Sequence, residues 1–301
     1  MYDIIGDIHG YADALVALLH KLGYTHNGTS YAHPSRKVIF VGDYLDRGPK
    51  IREVLQIVKS MCDYQQALAT LGNHEYNALC FETLGKDGLP LRAHNAKNTQ
   101  QYQATIDAFC DYPHEWRMYL DWFTTLPLFL ELNKELRIVH ASWVPDKIAW
   151  VRKHLPNACI ADKDLTYFTQ VGSMAYKVID DLLKGKEMPL PKGHFFYDKG
   201  QHKRYRIRIK WWLNPKGLCY DEYGFGNGLP NTFVPDSTIL MPIYSAKDMP
   251  VFFGHYWLKG PPQLQRHNVC CLDYSIAKNG QLVAYRWNGE QQLQASNFVT
   301  V

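Results

Sequence analysis

The sequence predicts an α/β fold, and two observations along its 301 residues support this class. Short apolar runs typical of buried strands recur and end in glycine or histidine, and segments with helical spacing lie between them. The succession of strand, loop, helix and strand is the pattern of a layered α/β protein. A third observation concerns function, because clusters of polar residues follow several of these strands directly.

Five segments are predicted to form buried strands, because each is short, apolar and followed by a turn or a polar cluster. They are residues 1–5, 37–41, 66–70, 136–139 and 251–253. The segment VCCLDYSIAKNGQLVAYRW (269–287) predicts two more strands joined by a turn. Its Asn279-Gly280 dipeptide is a strong short-range signal of a hairpin.

Two helices are predicted between the first strands, where apolar residues recur every three or four positions. ADALVALLHKLGY (12–24) has this spacing, and Gly23 supplies its end. IREVLQIVKSM (51–61) has the same spacing and follows the second strand. Both helices therefore connect neighbouring strands, as expected in a layered α/β protein.

The middle of the chain differs from the rest, because long helical stretches replace the regular alternation of strands and helices. Residues 76–126 are predicted to be mostly helical, and residues 142–193 form a second helical stretch. We therefore expect one domain over residues 1–301, with helical insertions at about 76–135 and 142–200.

The segment HKRYRIRIKWW (202–212) predicts a strand with one basic face, because basic and other residues alternate with period two. The basic side chains of this face are Arg204, Arg206, Arg208 and Lys210. Basic residues interleaved with aromatics are also compatible with a nucleic-acid surface. We favour a half-solvated strand, or one that lines a phosphate pocket, and do not expect a nucleic-acid partner.

The composition is that of a soluble globular enzyme, with 46% hydrophobic and 21% charged residues. A net charge of +4 is too small to indicate nucleic acid or a membrane surface as a partner. No apolar run approaches the ~20 residues that span a bilayer, and the N-terminus does not resemble a secretory signal. The seven scattered cysteines include no C-x-x-C pair, so we expect reduced thiols and a cytoplasmic location.

Five polar blocks directly follow predicted strands. They are GDIHG (6–10), GDYLDRG (42–48), GNHE (72–75), HAS (140–142) and GH (254–255). Because ligands bind outside the carboxyl ends of the strands of an open α/β sheet, these blocks should bring several side chains to one edge. The candidate ligands are Asp7, His9, Asp43, Asn73, His140 and His255. Carboxylate, amide and imidazole donors together suit Mn, Fe or Zn ions.

The blocks GDIHG, GDYLDRG and GNHE, followed by single histidines, resemble those of the calcineurin-like metallophosphoesterases. Three motifs in this order and spacing form a far more specific signal than a lone GDxHG. The joined GD-x-x-DRG and GNHE blocks are similar to the phosphoprotein phosphatase branch, which includes symmetrical diadenosine tetraphosphatases and small bacterial phosphatases. The resemblance implies an α/β/β/α sandwich with helical insertions.

The resemblance implies two divalent metal ions that share Asp43 as a bridge. Asp7 and His9 would complete the first site. The second site would be completed by Asn73, His140 and His255. The ions would be Mn, with Fe, Zn or Co as alternatives, and a metal-bound hydroxide would attack phosphorus. The family block at this point usually reads HGG or HAG, and here it is His140-Ala141-Ser142, in which alanine is small enough to keep the turn.

The same resemblance implies three catalytic residues. His74 would protonate the leaving group, Asp46 would orient its imidazole, and Arg47 would bind phosphate oxygens. Asn73 would also contact the phosphate. A second phosphate-binding arginine is expected from the basic strand, and our candidate is Arg208. Its rivals are Arg206 and Lys210. Glu75 is expected only to anchor its loop.

Three functions are compatible with these residues. The first is a metal-dependent hydrolase of phosphomonoesters, similar to serine/threonine protein phosphatases. The second is a nucleotide hydrolase similar to symmetrical diadenosine tetraphosphatases. The third, an inactive phosphate-binding protein, is disfavoured because no implied ligand and no catalytic residue is replaced. The partner is accordingly a phosphorylated substrate, either a phosphoprotein or a nucleotide.

Overall fold

The structure is a computed structural model that describes residues 1–197, 203–226, 228–235 and 243–301. Within these ranges the strands are β1 (Tyr2–Ile5), β2 (Thr25–His26), β3 (Tyr31–Ala32), β4 (Lys37–Phe40), β5 (Ala67–Ala69), β6 (Phe129–Leu132), β7 (Leu136–Val139), β8 (Glu187–Pro189), β9 (Phe196–Tyr197), β10 (Lys203–Arg204), β11 (Arg206–Ile209), β12 (Gly224–Phe225), β13 (Val251–Phe253), β14 (Val269–Cys271), β15 (Asp273–Tyr274), β16 (Gln281–Trp287) and β17 (Phe298–Thr300). The α-helices are α1 (Ala12–Lys21), α2 (Ile51–Asp63), α3 (Asn73–Glu82), α4 (Ala96–Phe109), α5 (Pro113–Phe123), α6 (Pro145–His154), α7 (Leu165–Thr169), α8 (Met174–Lys184) and α9 (Tyr220–Tyr223). No helix in the described ranges is both long and apolar enough to cross a membrane.

The five predicted strands are confirmed, but they belong to two sheets. The first sheet has the order β15-β16-β1-β4-β5, with β17 beside β16, and β1, β4 and β5 are parallel. The second sheet has the order β14-β13-β7-β6, and β7, β13 and β14 are parallel. The carboxyl ends of both parallel sets therefore carry the loops with the polar blocks.

The two sheets pack face to face, and helices cover their outer faces. In β4, Ile39 lies in the core between the sheets, whereas Phe40 packs in the core under the helices. In β13, Phe252 packs against Tyr285 of the other sheet, and Phe253 packs on the outer side against Trp211 and Trp212. Successive strand residues point to opposite faces, so each strand supplies both cores. This arrangement confirms the predicted α/β/β/α layers.

Helices lie in both of the predicted insertions. The first contains α3, α4 and α5, although residues 83–95 are not helical. The second contains α6, α7 and α8, but its helices end at Lys184. Residues 187–189 form β8, which pairs with β11, so the prediction of a helical insertion to residue 200 is wrong at its end. Residues 198–200 lie outside the described residues.

The basic segment forms β10 and β11, and β11 lies between β8 and β12 in a three-stranded sheet. Its alternation is confirmed, because Ile207 and Ile209 are buried while Arg206 is exposed and Arg208 is half-buried. His202, at the start of the predicted strand, lies outside the described residues.

The predicted hairpin at residues 269–287 is only partly correct. Strands β15 and β16 are antiparallel, and Asn279 has the left-handed φ of 58° that favours a turn. Residues 269–271, however, pair with β13 in the second sheet. The chain therefore passes from one sheet to the other at the buried Leu272, and the first predicted strand is divided there.

One buried carboxylate near the N-terminus belongs to the structural framework. Asp3 accepts hydrogen bonds from Tyr24 Oη at 3.0 Å, Arg36 Nε at 3.0 Å and Arg286 Nε at 3.0 Å. Because a buried charge is costly unless it is paired, these three donors explain how the carboxylate is tolerated. They connect β1 with segments far apart in the chain.

Candidate metal centre and catalytic residues

The polar blocks meet at the carboxyl ends of the parallel strands of both sheets. Asp7 and Asp43 follow β1 and β4, and Asn73 begins α3 after β5. His140 and His255 follow β7 and β13 of the second sheet. The side chains predicted as ligands are all buried, with at most 8% of their surface exposed. The expectation of one shared sheet edge is replaced by a site between the ends of two sheets.

Asp43 lies at the middle of this group. Its Oδ2 is 3.6 Å from Nε2 of His9, and its Oδ1 is 3.3 Å from Nε2 of His140. Oδ1 of Asn73 is 3.2 Å from the same nitrogen of His140. Asp43 belongs both to a group with His9 and His74 and to a group with His140 and His255, and the ligand atoms within each lie within 4.8 Å of one another. This is the position that a bridging carboxylate requires.

Two of the histidines are oriented by backbone carbonyl groups. His9 Nδ1 donates to the carbonyl of Leu45 at 3.0 Å, and His140 Nδ1 donates to the carbonyl of Val41 at 2.9 Å. A carbonyl can only accept, so each ring carries its proton on Nδ1 and leaves Nε2 as an electron-pair donor. Metal-binding histidines characteristically have such a partner on the second nitrogen.

Several buried polar atoms in this group have no hydrogen-bond partner in the described part of the chain. They are Asp7 Oδ1, His9 Nε2, and both ring nitrogens of His255. Leaving such atoms buried and unpaired is unfavourable, and oxygen and imidazole donors are suitable ligands for divalent metal ions. The residues therefore fit a metal centre.

Glycine is required at residue 254 by the closeness of Asp7. A Cβ atom at Gly254 would lie 1.9 Å from Asp7 Oδ1. Asp7 Oδ2 accepts a hydrogen bond from the backbone N–H of His255 at 2.9 Å, so this contact joins the loops of the two sheets. The absence of a side chain at Gly254 thus lets the backbone before His255 come close to Asp7.

Electrostatics favour the neutral forms of His9 and His255 and place Asp7 beside other carboxylates. Burial, and then repulsion from Asp273 and Asp43, raise the pKa of Asp7 well above its ordinary value. Burial, followed by the charge of His74, lowers the pKa of His9 to about 3. Burial, followed by the charge of Arg208, lowers the pKa of His255 well below its usual range. Neutral imidazoles beside crowded carboxylates favour a bound cation.

His74 and Asp46 form a buried pair next to this centre. Nδ1 of His74 is hydrogen-bonded to Oδ2 of Asp46. Burial lowers the pKa of His74, but the charge of Asp43 and the contact with Asp46 outweigh it, and the pKa is raised above its ordinary value. Nε2 of His74 lies 3.9 Å from Asp43 Oδ2 and 3.2 Å from Arg47 Nη2. Because a guanidinium can only donate, Nε2 accepts from Arg47 in this contact, while the raised pKa of His74 favours a second proton on the ring.

Among the candidates for a second phosphate-binding residue, Arg208 lies close enough to His255 for its charge to lower the pKa of that ring. Its Cζ is 5.6 Å from the centroid of the Tyr256 ring, and its Nε is buried without a hydrogen-bond partner in the described ranges. Arg206 instead donates to the Glu187 carbonyl at 3.0 Å. The third candidate, Lys210, donates to a carbonyl on α9 at 2.6 Å.

The backbone of the site is left-handed at five positions that are not glycine. They are His9 (φ 48°), Asp43 (φ 55°), Asp46 (φ 65°), Arg47 (φ 71°) and His255 (φ 70°). This conformation costs about 1–2 kcal/mol for an ordinary L-residue. It turns the loops sharply, and strain of this kind is concentrated at functional sites.

Glu75 anchors the loop that carries Asp43. Its carboxylate accepts hydrogen bonds from the backbone N–H groups of Asp43 at 2.9 Å, Tyr44 at 2.8 Å, Leu45 at 3.3 Å and Gly72 at 3.0 Å. Burial and then repulsion from Asp43 raise its pKa to about 7. The expected anchoring role is confirmed by these contacts, although their number could not be predicted from sequence.

Thr105 is a site residue that the sequence analysis missed. It lies buried in α4, and its hydroxyl donates to Oδ1 of Asp46, whose Oδ2 holds His74. A single threonine in a helical insertion, 59 residues from Asp46, has no motif that could have identified it. Both oxygens of Asp46 are thus hydrogen-bonded, and this holds the carboxylate in its orientation toward the His74 ring.

Replacing Thr105 with Val lowers kcat by about tenfold and leaves KM unchanged, because Asp46 loses a hydrogen bond and no longer holds His74 in place. Steady-state kinetics with a phosphomonoester measure this. Thr105→Ser should recover activity to within a few fold of wild type. Thr124→Val removes an exposed hydroxyl bonded to a backbone carbonyl and serves as the control. Equal kcat in Thr105→Val and wild type would show that this hydroxyl does not position the pair.

Three comparisons with known proteins place this geometry in context. Residues 2–209 match the calcineurin-like phosphoesterase family. The bis(5'-nucleosyl)-tetraphosphatase PrpE (asymmetrical) of Halalkalibacterium halodurans is 46% identical over 74 residues, which cover 24% of this chain and 30% of that protein. The protein of the same name from Geobacillus sp. is 33% identical over 153 residues, covering 48% of this chain and 59% of that protein. The chain thus spans less than two thirds of the length of these relatives.

A solved structure of a protein serine/threonine phosphatase from Saccharomyces cerevisiae has the same fold. Its TM-score is 0.54 at 15% identity, over 100% of this chain and 78% of that chain. At this identity the likeness concerns the fold alone. The family match, in contrast, covers well over half of the chain. The chain therefore belongs to the calcineurin-like phosphoesterases.

Proposed function

We propose that the protein hydrolyses phosphoric esters with two divalent metal ions. Asp7 and His9 would hold the first ion, and Asp43 would bridge to the second. The second ion would be completed by Asn73, His140 and His255. The observation that carries the proposal is the set of buried, unpartnered oxygen and nitrogen atoms around Asp43. Manganese is our first choice of metal, and iron, zinc and cobalt suit the same donors.

The residues around the centre have complementary tasks in the proposed reaction. Bound divalent ions supply an activated water at neutral pH and polarise the phosphoryl oxygens. Asp46 holds Nδ1–H of His74, so that the proton on Nε2 can pass to the leaving oxygen. Arg47 Nη2, which donates to Nε2 of His74 at 3.2 Å in this structure, would donate to phosphoryl oxygens instead and leave Nε2 free to carry its proton. Asn73 and Arg208 are proposed to bind the remaining phosphoryl oxygens.

Two substrate classes are candidates. A phosphomonoester, such as a phosphoserine or phosphothreonine side chain, requires no more than the residues named above. A dinucleoside polyphosphate is favoured by a separate observation, because curated relatives with up to 46% identity are named bis(5'-nucleosyl)-tetraphosphatases. Those names specify asymmetrical cleavage, whereas the sequence analysis expected the symmetrical reaction.

The test is to strip the protein of metal, restore Mn²⁺, and compare p-nitrophenyl phosphate, a phosphothreonine peptide and diadenosine tetraphosphate. Metal-dependent turnover of at least one is expected. The nucleotide products distinguish the modes, because symmetrical cleavage gives two ADP and asymmetrical cleavage gives ATP and AMP. Arg208→Ala should weaken inhibition by inorganic phosphate. Absence of metal-dependent turnover on all three substrates would overturn the proposal.

A further inference from the structure

Trp257 lies beside the proposed metal centre and holds two cationic side chains. The Cζ of Arg47 is 3.9 Å from the centroid of the Trp257 ring, and Nζ of Lys278 is 3.4 Å from it. The Trp257 and His9 rings have centroids 6.1 Å apart. Both cations therefore contact the same ring, next to a candidate metal ligand. Cation–π contacts of this kind hold the charges in a defined place.

This arrangement is fixed by a buried carboxylate. Asp273 accepts hydrogen bonds from the backbone N–H of Trp257 at 2.7 Å and from that of Ser275 at 3.0 Å. The first bond holds Trp257 in a left-handed conformation, with φ of 52°. The second holds the start of the 3₁₀ turn Ile276–Lys278. One side chain thus positions both the aromatic ring and the segment that carries Lys278.

A cavity of about 520 Å³ lies beside Lys278. Lys259 and Lys278 both line it, together with Leu258 and Tyr274, and none of its described lining residues is acidic. Its volume is within the range of small-molecule sites. An anionic ligand that begins at Arg47 and continues past Trp257 would reach two further positive charges.

We infer that Lys278, with Lys259, binds the phosphate groups beyond the one that is cleaved, so that the substrate is a nucleoside polyphosphate. The inference rests on the proposed function, and it deepens the second substrate candidate. Arg47 binds the scissile phosphoryl group, and Lys278 neutralises the next phosphate in the chain. An isolated phosphomonoester has no second phosphate for Lys278 to bind. The residue therefore distinguishes the two classes.

The first test compares kcat/KM for diadenosine tetraphosphate and for p-nitrophenyl phosphate in the Mn²⁺-restored enzyme. Lys278→Gln should lower the value for the dinucleotide about tenfold more than the value for the monoester, because one charge-assisted contact is lost. Lys37→Gln removes an exposed lysine at the opposite end of β4 and should leave the ratio unchanged. An equal loss on both substrates, or no loss, would overturn the inference.

The second test measures binding without turnover. In the His74→Asn background, calorimetry with diadenosine tetraphosphate should give a Kd about tenfold higher when Lys278 is also replaced by Gln. This result together with a wild-type enzyme that turns over no substrate would support the binding site and reject the proposed hydrolysis. An unchanged Kd would reject the binding site whatever the activity of the wild type.

Discussion

Replacing His74 with Asn lowers kcat by about 10²–10⁴-fold, which is the usual contribution of a general acid. The variant keeps a polar side chain of similar size but has no proton to give to the leaving oxygen. The loss should be larger on a phosphothreonine peptide than on p-nitrophenyl phosphate, because nitrophenolate leaves readily without protonation. Steady-state kinetics at saturating Mn²⁺ measure both values.

The control for this variant is His114→Asn, since His114 is exposed on α5. It should retain wild-type kcat on both substrates. Calorimetric titration with Mn²⁺ should give the same affinity for His74→Asn as for the wild type. A loss of metal binding in His74→Asn would contradict the assignment, since His74 would then be a ligand and not the acid.

Replacing Asp7 with Asn has two opposite effects. Mn²⁺-dependent activity falls by at least about 100-fold, because the first ion loses a charged ligand. The metal-free protein becomes more stable. The charge of Asp7 is better solvated in the unfolded chain than at this buried site, and asparagine carries no charge. The pKa of Asp7 is raised in the folded protein, so ionisation of this carboxylate destabilises the fold. This loss of stability grows as the pH rises above the ordinary pKa of an aspartate.

Thermal unfolding with EDTA and with Mn²⁺ measures both effects. Wild type should gain about 2.7 kcal/mol at a Mn²⁺ concentration of 100 Kd, seen as several degrees in Tm, while Asp7→Asn gains little. In EDTA at neutral pH, the Tm of Asp7→Asn should exceed that of wild type. Asp111→Asn, an exposed substitution, should change neither value. A lower metal-free Tm for Asp7→Asn would refute this account of the crowded carboxylates.

The candidate ligands were predictable because each follows a strand whose apolar pattern is clear. Asp43 comes three residues after the end of β4, and His140 comes directly after β7. Strand ends fix position in three dimensions, so short blocks at these ends were enough to bring the residues together in the prediction. The left-handed backbone at Asp43 has no counterpart in composition or periodicity, and it was not foreseen.

Contacts between segments distant in sequence could not be predicted. Thr105 reaches Asp46 from the middle of an amphipathic helix, where its hydroxyl resembles any other polar group. The apolar run at residues 269–272 predicts a strand but does not specify a sheet, so the passage between sheets at Leu272 was missed. Lys278 directly precedes the Asn279-Gly280 turn signal and carries no motif, and its position over Trp257 depends on the packing of both loops.

The proposed metal centre lies across the contact between the two sheets. Asp7 and Asp43 move with the first sheet, and His140 and His255 move with the second. Because protein interiors are closely packed, a lost or added methylene between the sheets changes their spacing. Substitutions in that core are therefore restricted by the separation of the ligands as well as by folding. An engineer who repacks the sandwich for heat resistance would change the catalytic geometry in the same step.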